Sequence, residues 1–305
     1  MNIIKRMEIL ENFANSLNQY NQYSKNFKTA ELIFMYLSLL NKIKIWQMTG
    51  SKTFKLSSDL VEAFNNTDIN LNYTPNDFQY PFGCFMIESE NPMFDVFFSD
   101  GRKTNVYNIL YIDKETATKN SKLISIDGYV HNIEWDISIS AIVPGVKILD
   151  IDTGLDYIWL NLKKDNVIKE MYEKQIHPIA KDLDIRITKN ETQKVVNIFY
   201  NTVMYINERV DNGCVQKICT RKTNVKSNSK NKKITNTYIY LTTPKDYKSL
   251  NSSKHRTIDK RFIVRGHWTN QAYGEKLTLR RKQWILPYWK GPELSEIISK
   301  PYKVN

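Results

Sequence analysis

Residues 261–291 read RFIVRGHWTNQAYGEKLTLRRKQWILPYWKG, and the rest of the chain is organised around them. Two strand-like runs, 262–268 and 283–289, flank a polar connection. That connection holds Gln271, Tyr273 and Gly274, then the cationic trio Arg280, Arg281 and Lys282. Three of the six tryptophans fall here, Trp268, Trp284 and Trp289, and no upstream segment mixes Arg with Trp so densely. Such a surface suits planar ligands, phosphate or a protein hot spot.

Side chains alternate along a strand, so Arg265 and His267 share one face and Trp268 takes the other. Gly266 between them permits a close backbone approach. As a site, this is a cationic Arg/His face for phosphate, RNA or an acidic peptide. As structure, it is a core tryptophan beside a paired arginine and a histidine bonded to backbone. In the second run Arg280, Lys282 and Trp284 share a face with Arg281 opposite. That pattern fits phosphate contact with base stacking nearby, and equally an edge strand guarded by charge.

Upstream, the periodicity changes twice. Ile3, Ile4, Met7, Leu10, Phe13 and Ala14 recur at helical spacing, which predicts a helix over 3–17. Thr29 can cap a second helix to about 46, and Ser57 or Ser58 a third over 59–65. Period-two or continuous apolar runs at 81–87, 94–98, 106–112, 122–130 and 133–142 then predict strands, separated by turns such as Asp100-Gly101. Short connections favour an antiparallel meander. Residues 155–175 return to helical spacing. Residues 191–208 form a long helix whose wide apolar stripe packs on the sheet. The expected fold is α+β, a single domain over 1–305. N-terminal helices pack on a largely antiparallel sheet, and the C-terminal strands complete that sheet through Ile263 and Ile285.

Charge is uneven. From Asp211 onward the chain holds 21 Lys/Arg against 6 Asp/Glu, whereas 1–210 hold 23 against 26. A strongly basic C-terminal third calls for an anionic partner. Within it, residues 211–237 turn to Asn, Ser, Thr and Lys, and RKTNVKSNSKNKK at 221–233 has six cations and no acid. This segment is expected to be a disordered basic insert.

Cys84, Cys214 and Cys219 match no common zinc spacing, and His131, His177, His255 and His267 are scattered. No phosphate loop, dinucleotide fingerprint, HExxH, CxxC or GxSxG is present, so the expectation is no cofactor, no metal and no common hydrolase chemistry. The N-terminal apolar face carries acids, and the longest apolar runs are too short to cross a bilayer. The reading is a cytoplasmic protein with no membrane association. A nuclease using His267 as general acid or base beside Arg265 stays open as an alternative.

RGHW at 265–268, a Gln/Tyr/Gly turn, a basic run, and W-x-x-P-Y ending at Tyr288 together resemble the C-terminal signature of a family of phage- and plasmid-borne proteins. That family includes type V-A anti-CRISPR proteins that suppress production of the effector nuclease. The matching positions are Arg265, Gly266, His267, Trp268, Gln271, Gly274, Arg281, Trp284 and Pro287. The resemblance implies a non-catalytic regulator of the bacterial host cell that evades host defence by acting on translation. Its partners would be RNA or a ribosome-associated nascent chain, or else a bacterial defence protein. The expected binding set is Arg265, His267, Trp268, Gln271, Tyr273, Arg280, Arg281, Lys282, Trp284 and Trp289. A module that blocks an acidic protein partner is the alternative reading.

Overall fold

A computed structural model describes residues 3–24, 27–69, 72–97, 103–124, 135–144, 147–148, 151–152, 155–169, 189–211, 217–227, 230–243 and 262–290. In chain order the elements are α1 (Ile3–Ser24), α2 (Phe27–Met48), β1 (Lys52–Leu56), α3 (Ser58–Asn65), β2 (Thr67–Asp68), a 3-10 turn (Pro75–Asp77), β3 (Cys84–Ser89), β4 (Phe94–Phe97), β5 (Lys103–Val106) and β6 (Asn108–Asp113). There follow α4 (Lys114–Ile124), β7 (Ile137–Pro144), β8 (Lys147–Ile148), β9 (Ile151–Asp152), β10 (Leu155–Leu162) and α5 (Lys189–Asp211). The chain continues with β11 (Lys217–Ser227), β12 (Lys230–Leu241), β13 (Phe262–Val264), β14 (Gly266–Tyr273), a 3-10 turn (Glu275–Leu277), β15 (Leu279–Ile285) and β16 (Tyr288–Lys290).

A seven-stranded sheet of order β10-β7-β6-β3-β1-β12-β11 divides the molecule. Its ladders are antiparallel except where β1 runs parallel to both β3 and β12. Alternation along the strands feeds two cores. Cys84, Met86, Leu110, Ile112 and Ile142 face Leu10, Phe13, Tyr36, Leu39 and Ile43 of the N-terminal helices. Phe85, Ile87, Ile109, Tyr111, Ile139 and Ala141 face the opposite way, onto α3 and α5. The structure is α+β, with the N-terminal helices covering one side of a largely antiparallel sheet. Phe13 and Tyr36 lock α1 to α2 edge to face, ring centroids 5.0 Å apart. The expected cap is present at α3, where Ser57 Oγ accepts from the Leu60 amide at 3.3 Å.

Four expectations are corrected. Residues 155–162 form strand β10, not a helix. Ile158, Leu160 and Leu162 are buried in strict alternation, the strand period, and β10 pairs with β7 along its length. The strand expected at 122–130 is helix through Ile124, because the Asp113 carboxylate accepts the Thr116 amide at 2.7 Å and starts α4. The remainder of that segment, and the helix end expected at His177-Pro178, lie outside the described residues. The polar connection between the C-terminal runs is itself strand, since β14 and β15 pair from His267↔Ile285 to Tyr273↔Leu279. These strands do not extend the large sheet. They form a second sheet of order β15-β14-β2, and β13 pairs with β16. Within the segment expected as a disordered basic insert, β11 and β12 pair as a long antiparallel ribbon. Strand β1, unremarked in the sequence, is an interior strand of the large sheet, between β3 and β12.

Candidate functional site

The β14–β15 hairpin lies across α5, and its two faces have different fates. Trp268 and Trp284 point inward as a cross-strand pair, stacked with ring centroids 5.9 Å apart and planes at 16°. Trp284 is 5% exposed, packs on Phe64 and Tyr205, and donates its indole N–H to Thr67 Oγ1 at 3.1 Å. Trp268 is half-buried and donates to Asn201 Oδ1 at 2.8 Å. Asn201 in turn donates to the Phe64 and Thr67 carbonyls at 3.3 Å each. A buried amide is satisfied here only because helix, strand and hairpin meet at one point.

Lys282 shares the inward face. Its ammonium lies 4.4 Å from the Tyr73 ring centroid and 5.3 Å from that of Phe78, a cation–π seat above the Pro75–Asp77 turn. Burial lowers its pKa, opposed by the nearby Asp77 carboxylate.

The opposite face of the hairpin points outward. In register it presents His267, Thr269, Gln271 and Tyr273 on β14 beside Ile285, Gln283, Arg281 and Leu279 on β15. His267, Gln271, Tyr273 and Arg281 are exposed. The Arg281 guanidinium sits 5.4 Å from the Tyr273 ring centroid. Beyond Gly274, whose φ is +79°, the turn exposes Leu277 and Leu279, and Lys276 and Leu277 both adopt left-handed backbone. Arg280 is exposed beside them.

Arg265 leads into β14 and forms an ion pair with Asp68 of β2, which lies beside His267 in the parallel register. Asp68, Ile69, Tyr73, Met204, His267 and Trp268 line a cleft of about 270 Å³. Gly266 is held where the chains are tightest. A Cβ there would meet Thr67 Oγ1 at 2.5 Å, Pro287 Cδ at 2.8 Å and the Ile285 carbonyl at 2.9 Å.

The ten sequence-predicted residues are thus distributed rather than gathered. His267, Gln271, Tyr273 and Arg281 share the outer face, with Arg265 at its base, whereas Arg280, opposite Ala272, belongs to the other face and is exposed at the hairpin tip. Trp268, Lys282 and Trp284 lie on the inner side. Trp289 sits on β16 opposite Ile263, its side chain outside the described residues. Asp68, Thr67, Tyr73, Phe78 and Asn201 had no sequence signal. Asp68 precedes Arg265 by 197 positions, so only folding joins them. Among the described residues no cluster of His, Cys, Asp and Glu is arranged to hold a metal, and no helix is long and apolar enough to cross a membrane.

By its sequence, the chain that carries this basic hairpin falls into an anti-CRISPR class of protein. The chain belongs to the AcrVA2-like family, anti-CRISPR type V subtype A2, whose family model matches residues 54–292. Among solved structures it is similar to the crystal structure of AcrVA2, at 10% identity over 94% of this chain and 98% of that one, with a TM-score of 0.41. No curated protein matches the sequence.

Proposed function

We propose that the protein counters type V-A CRISPR defence as a non-catalytic cytoplasmic regulator. It would bind RNA, or the nascent peptide of a translating complex, through the outer face of the β14–β15 hairpin. The observation that carries this is the exposed arginine–aromatic surface itself. Arg281 over Tyr273, with His267 and Gln271 on the same face and Arg280 exposed at the hairpin tip, offers phosphate contact and a stacking platform on a strand pair anchored by two tryptophans. The C-terminal excess of positive charge supplies attraction to a polyanion.

A protein-binding reading is supported by a different feature. Tyr273, Leu277 and Leu279 are exposed apolar groups at the hairpin tip, flanked by Arg280 and Arg281, which fits an apolar pocket rimmed by carboxylates. The nuclease reading has less support, because Asp68, the carboxylate beside His267, accepts from Arg265.

Capture of the full chain from cells expressing a type V-A effector, with and without nuclease treatment, separates these readings. RNA or ribosomal material that is lost on nuclease treatment and by added salt supports the RNA reading. A nuclease-resistant protein complex supports the alternative, and captures free of RNA and ribosomal components overturn the first reading.

A further inference from the structure

The β11–β12 ribbon carries a charge pattern that the C-terminal surface does not use. β1 pairs with β12 only over residues 237–241, whereas β11 follows β12 from Lys217↔Tyr240 to Ser227↔Lys230. From Arg221↔Asn236 outward, the described residues form a two-stranded ribbon with no third strand beside it. At about 3.4 Å per residue this distal part is roughly 20 Å long. It contains Arg221, Lys222, Lys226, Lys230, Lys232 and Lys233 and no acid.

Register sorts those cations onto both faces. Lys222, Lys226 and Lys233 share one face with Asn224, Asn231 and Thr235, a face with no apolar position. Arg221, Lys230 and Lys232 share the other with Thr223, Val225 and Ile234. Toward the sheet the character changes, and Ile239 and Leu241 are buried in the core. A one-sided charge would suit a flat acidic surface. Cations on both faces of a thin ribbon suit a groove with phosphates along both walls. A two-stranded ribbon fits a groove about 12 Å wide, the width of the B-form major groove, better than the narrow A-form one.

We propose that the distal half of the β11–β12 ribbon is a duplex-binding arm that seats in a nucleic-acid groove and contacts the flanking phosphates. The arm rests on the ribbon alone and does not depend on the RNA reading of the C-terminal face.

The test is binding of the full chain, across a salt series, to a short DNA duplex, an RNA duplex of the same sequence, and the separated strands. Replacing Lys222, Lys226 and Lys233 together by Gln should weaken duplex binding at least ~10-fold at low salt and flatten its log–log salt slope by about 2–3, since each phosphate contact contributes about 0.9. Single-strand binding should change much less, and the matching Lys→Arg triple should restore the duplex slope. Preference for DNA or for RNA duplex identifies the source of the groove. An unchanged duplex slope, or an equal loss on duplex and single strands, overturns the proposal. Should the Gln triple not fold, lysine acylation of the wild-type chain decides: the ribbon lysines are shielded by duplex, and absence of shielding overturns it.

Discussion

Trp268 Nε1 donates to Asn201 Oδ1 at 2.8 Å, and that bond ties the C-terminal hairpin to the middle of α5. Trp268, which the sequence offered either as part of a site or as a core residue, is therefore an anchor. Its neighbour Trp284 is satisfied in the same way by Thr67.

Removing the Asn201 amide should unfold this junction first. Asn201→Leu leaves the Trp268 N–H and two backbone carbonyls to find other partners. A buried polar group left unmade costs about 1–3 kcal/mol. Urea unfolding should show a loss of at least that size, while Trp268→Phe, which removes the donor itself, should cost less. Equal stability of Asn201→Leu and wild type would refute the anchor.

Gly266→Ala should be destabilising for a steric reason. The added methyl would press on Thr67 Oγ1 and on the Ile285 backbone, and Thr67 cannot yield without losing its bond to Trp284. Overpacking of this kind costs about 1–3 kcal/mol. Thermal melting checks it, and intrinsic fluorescence should report altered Trp284 packing.

Lys282 and Arg281 should separate in salt dependence. Lys282 is already seated on Tyr73 and Phe78, whereas Arg281 is exposed. On an RNA single strand, Arg281→Gln should flatten the salt slope by about 0.7, the share of one phosphate. Lys282→Gln should leave the slope nearly unchanged and lower the melting temperature instead. The reverse assignment of the two effects would count against an outer-face contact surface.

Lys42 makes stability depend on pH. It is buried in α2, donates to Ser138 Oγ at 2.9 Å and to Ser140 Oγ at 3.4 Å, and lies 5.9 Å from the Trp135 ring centroid. Burial pushes its pKa from 10.5 down to about 7. Between these values the unfolded chain binds more protons than the folded one, so this residue's contribution makes stability rise with pH across the window. Its cost is full below about 7. Lys42→Met should therefore stabilise the protein near pH 6.5, by about 1–4 kcal/mol as for other buried charges replaced by apolar groups. The gain should shrink toward pH 10. Paired melting curves at the two pH values test this, and a gain independent of pH would refute it.

Much of the fold was legible because local periodicity and capping agree with it. Ile3, Met7, Leu10 and Phe13 define the buried stripe of α1, Ser57 starts α3, and the stripe from Val195 to Ile206 defines α5. The sequence alone also determined the basic C-terminal third, the RGHW and W-x-x-P-Y signature, and the alternation that puts Arg281 opposite Lys282. Tertiary structure decided the rest. Residues 155–162 became strand because β7 offered a ladder, and β11 found its partner in β12. Which of the candidate residues face outward depended on Asn201, Thr67, Asp68 and Tyr73, far away in the chain. A strand pattern distinguishes two faces but does not say which is buried. That choice is made by the partner that satisfies an indole N–H or seats an ammonium, and the partner exists only once the chain has folded.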